Sequence, residues 1–237
     1  MWLPRESTSA MRVLQTALFT WSPSKGAGRP GRFLARGRVR GVEGTRVPTD
    51  RKVVESSSTG ALLMAVFGAV WAAAGAPAVG GATGTVLLLL FWTVAAALCV
   101  GAMRLRRAAR GLPGDDSPQA RARRGRIIRR FNLVFGLQGV AIALAVFLLV
   151  RYDLGTLVPA VVALIVGVHF FPLAGLYGVR AYHATGAALC VVGLAAFPLA
   201  AQSRLPVVGL GCAAVLLATA AHVLYFGRTR RPDAPAA

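Results

Sequence analysis

From Thr59 onward the chain is a succession of apolar runs, each close to bilayer length, separated by short breaks rich in Gly, Pro, Arg and Asp. About twenty apolar residues, at 1.5 Å of rise each, span the ~30 Å hydrocarbon core as a helix. Six such spans are predicted, over about 60–79, 83–103, 131–150, 154–176, 183–201 and 206–226. A Gly-rich, uncharged turn joins the first two. The stretch "RLRRAARGLPGDDSPQARARRGRIIRR" then reads as a long basic loop over 104–130, and "RYDLG" and "AQSRLP" make later turns. Pro206 suits the first turn of the last span, where its missing N–H costs nothing. The predicted fold class is all-α, a polytopic membrane protein with six transmembrane helices.

The flanks read differently. Residues 1–58 are rich in Arg, Gly, Ser and Pro without sustained periodicity. They are expected to form a mostly disordered basic tail, or to be an over-long start. Within them "VLQTALFTW" (13–21) is interrupted by Gln15 and two threonines, and no small-residue cleavage site follows, so a signal peptide is not expected. The domain plan is therefore a tail over 1–58, a transmembrane domain over 59–227 and a short tail over 228–237.

Charge adds orientation. Of 237 residues 56% are hydrophobic, yet the formal net charge is +19. The 27 basic residues fall 11, 10, 1 and 3 in the N-terminal tail, the 104–130 stretch, the 177–182 turn and the C-terminal tail. The opposite loops hold only Arg151 and Arg204. Basic residues collect on the cytoplasmic side, so both termini are expected there, in a bacterial plasma (inner) membrane. The same cationic segments are expected to attract anionic lipid at the cytoplasmic face. No aromatic–basic module accompanies the arginines, and specific nucleic-acid binding is not expected.

Catalytic chemistry finds little support. None of the eight acidic residues falls inside a predicted span. No phosphate loop, H-E-x-x-H helix or nucleophile–base spacing is present, so neither an enzyme nor a cofactor or metal site is expected. Cys99, Cys190 and Cys212 lie at unrelated spacings inside apolar runs and read as small core residues. Thr93 can return its hydroxyl to its own helix.

His169 stands apart, about 12 Å inside Tyr177 along a helix. Pro172 follows three residues later and deprives the Val168 carbonyl of its donor, so a kink or loosened turn is expected there. Ala160, Ala163, Gly167, Ala174 and Gly178 gather on the face opposite His169 and should pack tightly on a neighbour. Gln138 lies at matching depth on the third span. A Gln138–His169 hydrogen bond is expected, either as structural glue or as part of a polar site in a solute path. If the bond forms, His169→Phe costs more stability alone than in a Gln138→Leu background.

The segment "VGVHFFPLAGLYGVRAYHATGAALCVVGLAAF" (166–197) resembles the stretch around "GLHFFPLA…YY.TGA" in small bacterial membrane proteins of a domain-of-unknown-function kind. The resemblance covers about thirty residues. It implies His169, Phe170 and Pro172 as marked positions, several spans and no assigned reaction. Here Tyr182 and His183 stand where the pattern has two tyrosines. Two functions follow as expectations. One is a small-solute transport or sensing component with a polar centre at His169, Gln138 and Pro172. The other is a membrane-anchored interaction protein whose basic tail and loop bind anionic lipid or a partner.

Overall fold

A computed structural model describes residues 51–110, 117–177 and 179–229. Among them are six α-helices: α1 (Arg51–Gly75), α2 (Gly81–Ala109), α3 (Pro118–Arg151), α4 (Val158–Tyr177), α5 (Arg180–Ala195) and α6 (Ala201–Thr229). Five are long and apolar enough to cross a membrane. The exception is α5: its 16 residues reach only about 24 Å, short of the ~30 Å core. The expected fifth span over 183–201 is thus shortened, because the chain turns from Ala196 and Pro198 lies in that turn. The chain is a multi-helix membrane protein.

Each break has a local cause. Between α1 and α2 a 3-10 turn (Pro77–Val79) leads into Gly80 and Gly81, at φ +79° and +58°. Side chains rarely tolerate that region, so glycine permits the reversal. After α3, Asp153 takes φ +58° and a second 3-10 turn, Gly155–Leu157, leads into α4. Pro118 opens α3, where no N–H is needed.

Three sequence expectations need correction. The 104–130 stretch is not one long loop: α2 runs on to Ala109 and α3 starts at Pro118. Arg and Ala are good helix formers, so a span whose end is studded with arginines can continue as helix into the polar zone. Pro206 lies six residues into α6, because that helix starts at Ala201. From Arg51 the chain is helical, so only residues 1–50 of the expected tail lie outside the described residues, with 13–21 among them. Residues 230–237 and Gly178 lie outside them too.

Small residues set the packing. α1 packs most extensively on α6, and α4 on α5. Ala160, Ala163, Gly167 and Ala174 are buried in α4, as their shared face predicts. They meet Gly186 and Gly193 of α5; a Cβ on Gly167 would come within 2.6 Å of Cys190 Sγ and 2.9 Å of the Gly186 carbonyl oxygen. Among the described residues α3 rests on α4 and the Gly155–Leu157 turn alone, and none of its apolar window is fully buried.

Two polar ties escape a reading of sequence alone. Arg204 donates through Nε to the Leu199 carbonyl (3.1 Å), through Nη1 to Thr156 Oγ1 (2.9 Å) and through Nη2 to the Phe197 carbonyl (3.3 Å). It thereby satisfies carbonyls beyond the end of the short α5 and ties them to the turn before α4. Buried Thr185 and Thr219 join α5 to α6 at 2.8 Å, and each hydroxyl also lies within 2.9 Å of a carbonyl four residues back. Two protons serve three contacts, so only one hydroxyl at a time bonds its own helix. Thr219→Val is expected to destabilise the bundle by about 0.6 kcal/mol, up to ~1.7, read as a lower melting temperature in detergent.

Candidate functional site

The polar centre expected from the sequence lies between α3 and α4. Gln138 and His169 are half-buried, and Pro172 is exposed on an α4 that stays helical through it. The expected Gln138–His169 hydrogen bond does not form. Gln138 Oε1 and His169 Nδ1 are both buried without a partner. The Val134 backbone of α3 faces the imidazole.

The histidine is one member of an aromatic chain of contacts. Six rings make a closed circuit. Phe131 meets Phe135 at 5.8 Å between centroids, Phe135 meets His169 at 6.3 Å, and His169 meets Phe170 at 6.2 Å. Phe170 meets Tyr182 at 6.0 Å, Tyr182 meets Tyr177 at 6.4 Å, and Tyr177 returns to Phe131 at 6.4 Å. Five of the six contacts are edge-on, the geometry that sets the positive rim of one ring against the negative face of another. Phe131 and Phe135 are the stacked pair, 15° from parallel. The circuit draws on α3, α4 and α5, so it fastens the outermost helix to the bundle.

Phe131, Phe135, Tyr177 and Tyr182 were not among the expected site residues. A signal existed for the first two: 131, 135 and 138 follow the i, i+4, i+7 spacing that puts residues on one helix face. Tyr182 is buried and joins the circuit, whereas His183 sits against Phe171 at 5.9 Å. Those two positions therefore play different parts.

Chemically the arrangement offers one imidazole, one amide and two phenols. Among the described residues no three His, Cys, Asp or Glu side chains come together in a way that could hold a metal. Asp153 is the only acid whose side chain is described, and it lies beyond the opposite end of α3. The three cysteines are free thiols, with Cys212 buried. Thr93 donates to the Leu89 carbonyl at 2.7 Å, as its place in a helix predicts.

A second feature lies toward the Arg-rich end of the same two helices. Arg123, Arg126, Ile127 and Arg130 of α3 face Gly175 and Leu176 of α4 across a groove of about 310 Å³. No ion pair is formed by these three arginines among the described residues. An apolar groove of the same volume, between α2 and α6, is lined by Leu98, Gly101, Leu224 and Tyr225. Neither groove is lined by His169 or Gln138.

Residues 127–226 match a family of unknown function (DUF7010). The match covers less than half of the chain. It takes in the whole aromatic circuit, Gln138 and Pro172, and leaves out α1, α2, Arg123 and Arg126. It agrees with the resemblance at the level of an uncharacterised family, and says nothing of the HFFPLA motif itself. No curated protein and no solved structure matches the chain.

Proposed function

We propose that the chain is a membrane-anchored interaction protein of the bacterial plasma membrane, without catalysis of its own, whose Arg-rich end faces the cytoplasm and engages anionic lipid. The bundle is the anchor. The observation that carries this reading is the first turns of α3: Arg121, Arg123, Arg124, Arg126, Arg129 and Arg130 stand on a helix continuous with its span. A charge cluster built this way is held rigidly at the membrane surface. Each basic residue near an anionic leaflet contributes about 1 kcal/mol, and the attraction fades within a Debye length.

Transport or sensing through His169 is the second reading, favoured by the unpartnered atoms of Gln138 and His169. It needs a path to the imidazole, and neither groove is lined by His169.

Two measurements test the first reading. Reporter fusions after Gly81, Asp115 and Asp153 should read out, in, out, and a periplasmic signal at Asp115 would overturn the orientation. The reconstituted chain should prefer phosphatidylglycerol over phosphatidylcholine near 0.1 M salt and lose most of that preference near 1 M, where the screening length falls from ~10 to ~3 Å. A missing or salt-insensitive preference would defeat the proposal.

A further inference from the structure

Resting on that reading, we infer that the groove between α3 and α4 is a binding site for one anionic phospholipid, its phosphodiester held by Arg123, Arg126 and Arg130. Seven-residue rows of α3 make the case. One row runs Arg123, Arg130, Leu137, Leu144, and its neighbour runs Arg126, Leu133, Val140, Phe147. Residues seven apart on a helix stand nearly above one another, about 10 Å apart. Each row is therefore cationic at one end and apolar along the rest. The apolar members are among the most exposed of the chain, from 55% at Leu144 to 72% at Leu133. Charge at one end and bare apolar surface below it match the shape of a lipid, headgroup above and acyl chains beneath.

The groove supplies the headgroup seat. Its arginines bring three guanidinium forks to one side of the groove, and such forks recognise phosphate oxygens in bidentate fashion. Arg121, Arg124 and Arg129 lie elsewhere around the helix and do not line it. On the α4 side Gly175 carries no side chain and a Cβ there would meet nothing within 4 Å, so the wall is low and open. Ile127 and Leu176 give the groove an apolar lip, which suits a headgroup with chains attached better than free phosphate. The last carbonyls of α4 point toward this end and carry a partial negative charge. That charge opposes an anion, and three arginines outweigh it. A basic pocket between helices at the membrane surface is a known form of lipid-headgroup site.

The test uses the full chain in nanodiscs of phosphatidylcholine with a minor share of phosphatidylglycerol. Retained phosphatidylglycerol per chain is counted by native mass spectrometry after extraction into detergent. Replacing Arg123, Arg126 and Arg130 together by Gln should lower retention at least tenfold. Replacing Arg106, Arg124 and Arg129 by Gln removes the same charge from exposed positions outside the groove and should change it less than threefold. Lysine at the three groove positions should restore part of the retention. Unfolding temperatures of all variants show whether the bundle is intact, and the exposed arginines can be replaced without touching the core. Equal loss in both sets would sink the groove while sparing the surface reading; no loss in either, beside a missing lipid preference, would sink both. Millimolar inorganic phosphate should leave retention unchanged, and full displacement by it would show a free-anion site instead.

Discussion

Gly209→Val should prevent the bundle from closing, leaving little folded protein after extraction. α1 and α6 touch through their backbones at this point. A Cβ on Gly209 would sit 2.5 Å from Gly75 Cα, 2.7 Å from Gly75 N and 3.0 Å from the Trp71 carbonyl oxygen. From the other side, a Cβ on Gly75 would lie 2.8 Å from Gly209 Cα. Neither neighbour is a side chain that can rotate away, so the helices must separate along their whole contact. Overpacking a core costs about 1–3 kcal/mol when side chains can adjust. Backbone against backbone should exceed that range, with Gly209→Ala near its upper end. Gly136→Ala and Gly139→Ala are the contrast. Nothing lies within 4 Å of a Cβ at either, so alanine's better helix propensity should stabilise α3 by about 0.5–1 kcal/mol each. Thermal unfolding in detergent measures all four. A Gly209→Val protein as stable as the parent would mean that the two helices do not cross there.

Replacing Gln138 by Leu and His169 by Phe is expected to raise the melting temperature, each change alone and both together. This reverses what a hydrogen bond between them would predict. An unpartnered buried polar atom costs about 1–3 kcal/mol, and both Gln138 Oε1 and His169 Nδ1 are in that position. Leucine removes one such atom from the α3–α4 seam. Phenylalanine removes the other and keeps a ring between Phe135 and Phe170, a gain that must exceed the loss of the imidazole's contact with the Val134 backbone. With no bond to break, the two effects should add. A double-mutant cycle reads this directly: destabilisation by each single change, with strong coupling, would mean that the pair bonds after all. If the double variant is more stable but loses a cellular phenotype, the transport or sensing reading gains at the expense of the anchor. Retaining an unfavourable group where an apolar one fits better is a mark of functional sites.

Five of the six expected apolar spans were legible because helices in lipid must satisfy their own backbone, which leaves long apolar runs as the visible trace. The tight face of α4 was legible for a related reason: Ala160, Ala163, Gly167 and Ala174 recur at helical spacing, and small residues there have little use except close approach. The 104–130 stretch was misread because arginine marks a polar environment and not a loop. Gly75 and Gly209 could not be singled out, since glycines are scattered through every span and their pairing depends on which helices neighbour each other. Arg204 read as a stray charge on the sparse side; its role emerges only with the carbonyls left where α5 stops short. The aromatic circuit was half visible, in Phe131 and Phe135 beside Gln138. Tyr177 and Tyr182 joined it through a tertiary contact that no local pattern encodes.

Because α1 packs most extensively on α6, the last helix among the described residues, the order of synthesis matters for this chain. The Gly75 surface of α1 is made early, and its partner at Gly209 emerges more than a hundred residues later. At the ~5–20 residues per second of translation, α1 waits roughly 6–25 s in the bilayer before α6 arrives. During that interval its close-packing stripe is open to any other helix inserting nearby. Chains cut short before Ala201 would keep that stripe uncovered permanently, and membrane quality-control proteases should clear them faster than chains shortened only beyond α6.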